Sequence, residues 1–324
     1  MNNVKKTIKK YNKIEPFNDF WIDCYSTAIF SILQSNHNID KRYFYNNNYK
    51  YEFTKNVRTG MGRVYITMQL EELISKLLIN KEIHDFTKDD DIIENLKYFI
   101  DKEKVIFLGI DMYYGVPDTS QWHKHHIHHN ILVEGYDDEK ECVYILETGE
   151  QGYKEYEMSY CDISLAAQEF TCFTRDTEIF EINSKEETYM YDNKELKSNA
   201  LEIVQSIDCI LEHISEIWHI HEEKVLSMKD EIEAHLRAIR NRQGVNANLF
   251  KVLYGEVKAN YYIEEFSFLE NEYDKLRNTI VQLCLNNEYF ENENSVKEVF
   301  GNLLRKEKKI WMDYSKDRNL NSFN

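Results

Sequence analysis

Between Trp122 and Gly149 the chain reads WHKHHIHHNILVEGYDDEKECVYILETG, and this stretch limits the fold more than any other. Asn130 to Gly135 is an apolar run with β-branched residues, Tyr136 to Lys140 is a polar turn, and Cys142 to Leu146 is a second run of strand formers. Together they predict an antiparallel β-hairpin. Folding it about Asp138 sets His129 opposite Glu147, and directly opposed Cβ atoms lie about 4.5–5.5 Å apart, close enough for a carboxylate to hold an imidazole. Ile131, Val133, Val143 and Ile145 share that face, so the pair closes one end of an apolar surface. The expectation depends on register, because a slip of one residue sends one partner to the other side of the sheet.

A base needs a group to act on, and the earlier chain offers one. The segment NDFWIDC leads into YSTAIFSILQ, where Tyr25, Ala28, Ile29, Ile32 and Leu33 recur at helical spacing. Asp19 or Asp23 is a suitable N-cap, which puts Cys24 in or just before the first turn of a buried helix. Unpaired N–H groups and the positive end of the helix dipole favour a thiolate at such a position. Without a base, Cys24 would read as a buried structural thiol, the common state of free cysteine. With His129 as base and Glu147 fixing the ring tautomer, the three residues form a nucleophile, base and acid in the order Cys, His, acid.

The pattern resembles a known group of proteins. An N-terminal nucleophile, the apolar strand VIFLGID (105–111), a loop, then H-x-I-L-V-x-G-Y-D-D and V-Y-I-L-E are similar to the bacteriocin-processing peptidases, and more so to the butirosin biosynthesis protein H family. Thiotemplated amide synthetases of the closthioamide type are similar as well. The resemblance covers roughly residues 15–180. It implies an α+β, papain-like (bacteriocin-peptidase-like) cysteine protease fold, with Cys24 as nucleophile, His129 as base and Glu147 where the family usually carries Asp. Asn18 stands where the family has a Gln that donates to the oxyanion, beside the backbone N–H of Cys24. Asn130 or Asp111 are alternative holders of the acid role. The implied reaction is amide formation by acyl transfer from a carrier-protein thioester, through an acyl-Cys enzyme, to a small amine in natural-product biosynthesis. No cofactor is implied, since the acyl group arrives on the phosphopantetheine of an acyl or peptidyl carrier protein. The alternatives are a cysteine peptidase or amidase with the same triad, and a non-catalytic binding protein on this fold.

The remaining chain bounds these expectations. From Lys194 onward, Leu196, Ala200, Ile203, Ile207, Ile210, Ile214 and Ile217 follow a three-four spacing that resumes after Val225, so a catalytic domain over 1–185 and a helical bundle over 190–324 are expected. A break in the helices is expected at Asn241–Asn248, which contains Gly244. The net charge of -17 argues against nucleic acid, whose phosphates require a cationic partner. Two basic runs, within the first 13 residues and at RKEKK (305–309), suit docking of an acidic partner such as a carrier protein. No apolar run is long enough for a membrane helix or a signal peptide, and the six cysteines are too scattered for a disulfide scaffold, which predicts a cytoplasmic protein with reduced thiols. His123, His125, His126 and His128 lack Asp, Glu or Cys at ligand spacing, so no metal is expected there. Tyr113, Tyr114 and Trp122 are candidates to stack on an acyl group, with rim or core packing as the plainer role.

Overall fold

A computed structural model of the chain describes residues 8–10, 14–21, 23–36, 42–45, 49–56, 60–68, 74–75, 78–86, 91–117, 119, 121–149, 152–168, 176–182, 193–219, 225–318 and 320. In chain order the elements are β1 (Ile8–Lys10), α1 (Cys24–Asn36), α2 (Arg42–Tyr45), β2 (Tyr49–Lys55), β3 (Gly62–Met68), β4 (Leu78–Asp85), α3 (Ile92–Asp101), β5 (Lys104–Asp111), β6 (His128–Asp137), β7 (Cys142–Gly149), β8 (Gly152–Ser159), α4 (Tyr160–Gln168), β9 (Asp176–Ile182), α5 (Asn193–Glu212), α6 (Val225–Tyr254), α7 (Glu256–Leu285) and α8 (Tyr289–Lys316). The protein is α+β, and its described strand pairs are antiparallel. No helix among the described residues is long and apolar enough to cross a membrane.

The chain divides into two units, Met1–Ile39 with Glu71–Thr188, and Asp40–Leu70 with Tyr189–Asn324. The first unit is built on a sheet of order β4-β9-β5-β6-β7-β8, with β1 pairing the end of β6. Strand β5 is buried along its whole length, as its sequence KVIFLGID requires of a central strand. On one face, Ile106, Leu108, Ile110, Ile131, Val133, Val143 and Ile145 pack with Leu96, Phe99 and Ile100 of α3 and with Ile163 and Ala166 of α4. On the other face Phe107 meets Tyr25 of α1 at a ring separation of 5.2 Å. The four buried residues that the hairpin sequence assigned to one face do share one core.

The hairpin register differs from the one expected. Leu132 pairs with Leu146, where folding about Asp138 had paired it with Tyr144. The turn covers residues 138–141: Asp137 accepts from the backbone N–H groups of Glu139 and Lys140 at 2.8 and 3.1 Å, and Glu141 takes a positive φ of 53°. A bulge between Val133 and Gly135 shifts the ladder once more. Beside the turn the ladder is three residues from the expectation, and beyond the bulge, at Leu132 and Val133, it is two, an even offset that preserves the expected faces toward His129 and Glu147.

The second unit contains the hairpin β2–β3 and helices α5 to α8. The sequence division at 1–185 and 190–324 therefore changes, since residues 40–70 join the helices. The reason is burial: Tyr49, Tyr51, Met61 and Val64 share one core with Ile203, Phe250, Phe266, Leu304 and Trp311. The boundary segment 184–193 lies, but for Asn193, outside the described residues. The expected break at Asn241–Asn248 is also absent, and α6 runs through it to Tyr254; Gly255, at φ 77°, separates α6 from α7. Polar residues here do not mark a turn because they face inward. Tyr49 and Tyr51 donate to the buried Glu307 carboxylate at 2.7 Å each, and Gln243 donates to it at 2.9 Å. Trp311 and Asn246 donate to the Tyr49 hydroxyl at 2.9 and 3.0 Å. Gly244 serves close helix packing, since a Cβ there would meet the Glu270 carboxylate at 3.0 Å.

The basic run at 305–309 lies on α8 and is partly engaged by acidic side chains. Lys306 pairs with Glu265 at 2.7 Å, Lys308 with Asp208 at 2.5 Å, and Glu307 is core, while Arg305 and Lys309 are exposed. The N-terminal basic run lies outside the described residues except for Ile8–Lys10, where Lys9 donates to the Asp101 carbonyl at 3.0 Å.

Burial raises the protonation threshold of Glu307, and hydrogen bonds from Tyr51, Tyr49, Trp311 and Gln243 oppose that rise. Removing the acceptor leaves several buried donors unsatisfied, each costing about 1–3 kcal/mol. Glu307→Ala is therefore expected to lower unfolding free energy by on the order of 3 kcal/mol, read from the midpoint of denaturant unfolding. Glu307→Gln, which retains an acceptor, should lose less.

Candidate active site

The site begins with the cap of α1. The Asp23 carboxylate accepts from the Ser26 backbone N–H and from the Ser26 hydroxyl, each at 2.7 Å, so Asp23, one of the two candidates, is the N-cap. Cys24 is thus the first residue of the helix. The chain before it is tied to the body of α1 by hydroxyls: Ser35 accepts from the Glu15 N–H at 2.7 Å and Ser31 from the Phe17 N–H at 2.9 Å. Phe17, 1% exposed, packs its ring 5.1 Å from that of Phe30.

Asn18 then joins this assembly to the sheet. Its carboxamide accepts from the Tyr153 N–H and donates to the Tyr153 carbonyl, both at 3.0 Å, with a longer donation to the Pro16 carbonyl at 3.4 Å. Both amide hydrogens are engaged, so Asn18 acts as a latch and offers no free donor to an oxyanion. The latch explains Gly152, whose φ is 98° and whose added Cβ would lie 2.9 Å from Asn18 Oδ1. The position expected to face an oxyanion is thus occupied here by a side chain whose partners are the backbones of Pro16 and Tyr153.

The sheet brings His129 and Glu147. Strand β6 pairs with β5 as far as His128, with His129 opposite Ile110, while its pairing with β7 begins at Leu132. Continuing the register, Glu147 lies diagonal to His129 on the same side rather than directly opposite. Diagonal pairs in a sheet are about 7–8 Å apart, within reach only of long side chains. The extra methylene of Glu over Asp suits that span. Glu147 is 2% exposed, its Oε2 lies 2.9 Å from His129 Nε2, and its Oε1 accepts from the Thr148 N–H at 2.6 Å. The His129 contact lies off the N–H axis, so proximity of charge contributes more to it than a straight hydrogen bond does.

Cys24 meets this pair where β6 and β7 part. One donor atom each from Cys24, His129 and Glu147 all fall within 4.8 Å of one another. The Cys24 sulfur also lies 3.8 Å from Thr148 Oγ1, a hydrogen-bonding separation for sulfur. Burial pulls the His129 imidazole toward its neutral form, but the nearness of Cys24 and Glu147, and their negative charges, outweigh this and hold it protonated well above the usual histidine range. Tyr153 lines the same spot. Its phenol is kept neutral first by burial and then by the charges of Glu147, Cys24 and Glu134. Thr148 and Tyr153 went unnoticed in the sequence; they pair across β7 and β8, and no local pattern marks that pairing.

The aromatic candidates stand on the loop between β5 and β6, at the sheet end that carries His129. Tyr113 stacks on His126 at 4.3 Å and meets Tyr114 at 5.0 Å, while Trp122 packs on His123 at 4.5 Å and is 37% exposed. Asp111, an alternative acid, is engaged by His126 Nδ1 at 2.6 Å and by the Tyr113 N–H at 2.9 Å, so it is committed to the loop. Cys24, Cys142, Cys161, Cys209 and Cys284 are free thiols; Cys172 lies outside the described residues.

The raised His129 value makes a directional prediction. A group raised in the folded state contributes stability that is complete below its unfolded value and is lost as pH rises through the folded one. In nitrogen-labelled protein the His129 ring is expected to remain protonated above the ordinary histidine value of about 6.5. In a Cys24→Ala/Glu147→Gln double variant only burial remains, and the titration should fall below that value; an unchanged midpoint would sink the assignment. The site is defined by these contacts alone: no protein-family model matches the chain, and no curated protein matches it.

Proposed function

We propose that the protein is an amide-forming acyltransferase with a papain-like catalytic unit. The observation that carries this reading is the convergence of Cys24, His129 and Glu147 within 4.8 Å, with the His129–Glu147 contact at 2.9 Å. A thiol, a base and a buried carboxylate so placed suit nucleophilic catalysis by covalent acyl transfer. Cys24 sits at a helix start, where the positive end of the helix dipole favours negative charge.

The chemistry proceeds in two balanced halves. The Cys24 thiolate attacks the carbonyl of an acyl thioester, and the tetrahedral intermediate expels the carrier thiolate, which takes a proton from His129. Cys24 now holds the acyl group. An amine then attacks, neutral His129 removes its proton, and collapse releases the amide and returns Cys24 as a thiolate beside a protonated His129. Glu147 holds the ring through Nε2, which leaves Nδ1 for the proton transfers. The oxyanion has the Cys24 backbone N–H as a donor, since the Asn18 amide is engaged elsewhere. Tyr113, Tyr114 and Trp122 are proposed to form a rim against which an acyl group rests. The acyl donor is proposed to be an acyl or peptidyl carrier protein and the acceptor a small amine.

The test is intact-protein mass spectrometry after incubation with a simple acyl thioester. Wild type is expected to gain one acyl mass and Cys24→Ala none. An amine added to the acylated protein should then yield the amide. Free acid as the sole product would instead favour a peptidase or amidase with the same residues. Equal behaviour of wild type and variant would leave neither enzymatic reading standing.

A further inference from the structure

The three side chains assigned to acyl transfer are also a metal-binding donor set. Among the described residues, Cys24, His129 and Glu147 are the group of three His, Cys or acidic side chains whose donor atoms lie within 4.8 Å of one another. The set is not a cluster of solvated surface acids, since Glu147 is 2% exposed. We propose that these residues bind one zinc-class divalent ion, and that metal binding and acylation of Cys24 exclude each other.

Geometry and charge both support the assignment. In a tetrahedral zinc site, with Zn–S about 2.3 Å and Zn–N or Zn–O about 2.0–2.2 Å, neighbouring donors stand about 3.4–3.6 Å apart. The Nε2–Oε2 separation of 2.9 Å is slightly inside that spacing, and the 4.8 Å limit of the group is slightly outside it. Side-chain shifts of about 1 Å bring all three to bonding distance. Thiolate and carboxylate together supply two negative charges, which balance a divalent cation in a poorly solvated site. A sulfur, a nitrogen and an oxygen donor favour zinc over magnesium or calcium, which take oxygen ligands. The second carboxylate oxygen, Oε1, is already oriented by the Thr148 N–H at 2.6 Å, an outer-shell contact of the kind that fixes metal ligands. Three protein ligands leave one position open for water, and Thr148 Oγ1 lies 3.8 Å from the Cys24 sulfur.

The consequence for function follows from shared atoms. The sulfur lone pair that attacks an acyl carbonyl is the one that bonds the metal, and the imidazole that moves protons is the second ligand. An occupied site holds Cys24 unreactive. This exclusivity rests on the acyl-transfer reading above, whereas the metal site itself does not.

The experiment uses the full chain after treatment with a chelator. Cobalt(II) is expected to bind with a near-ultraviolet thiolate-to-cobalt charge-transfer band that saturates at one ion per chain. The band should vanish in Cys24→Ser, which keeps the shape of the side chain, and affinity should fall at least about 100-fold in His129→Ala. One equivalent of zinc should block the acyl adduct formed from a model thioester, and chelator should restore it. No thiolate band in wild type, or a band that survives Cys24→Ser, would overturn the metal site. Undiminished acylation at saturating zinc would overturn the exclusivity. Failure of the chelator-treated protein to acylate while the cobalt band is present would instead remove the acyl-transfer reading and leave the metal site standing.

Discussion

A carboxylate buried to the extent of Glu147 must be paired, since an uncompensated charge in a protein interior costs several kcal/mol. Its two oxygens are divided between the Thr148 N–H and the His129 ring. That pairing fixes the imidazole, and the imidazole faces the first residue of α1. The placing of the His129 ring depends on this one contact between two strands of the sheet.

The rest of the first unit can be read as the means of keeping the contact in place. The hydrophobic face of β5, β6 and β7 packs on α3 and α4 and holds the strands that carry His129 and Glu147. The opposite side receives α1, anchored through Tyr25 on Phe107 and through the serine hydroxyls that bind the chain before it. Asn18 closes the arrangement by gripping the backbone of Tyr153 at the start of β8. A helix start, a strand start and a strand end, far apart in sequence, are thereby held together without a disulfide among the described cysteines.

Much of this was legible in the sequence, and the omissions have identifiable causes. Alternation and β-branching revealed the hairpin, helical spacing revealed α1, and the type and order of residues singled out Cys24, His129 and Glu147. The register could not be read, because a turn over 138–141 and a bulge after Val133 depend on backbone geometry that no residue type announces here. The prediction still brought the right pair together because the offset was even and Glu is long enough for a diagonal. The hold of Asn18 on Tyr153 was not legible because its partner is a backbone group 135 residues away. The helix break at 241–248 was misplaced for a related reason: Gln243 and Asn246 look like turn residues until Glu307, Tyr49 and Tyr51 provide their buried partners. Segment 40–70 was assigned to the wrong unit because its tyrosines find their core among helices more than a hundred residues later.

The central claim is that His129 and Cys24 act on each other. It is tested most directly by site-resolved alkylation at neutral pH, with the rate at Cys24 compared with the rates at the exposed Cys161 and Cys209 in wild type and in His129→Ala. The account predicts that the substitution slows alkylation of Cys24 by more than about tenfold, as expected when a thiol loses a neighbouring base, and leaves the two exposed thiols unchanged. A Cys24 rate that is indifferent to His129 would contradict it.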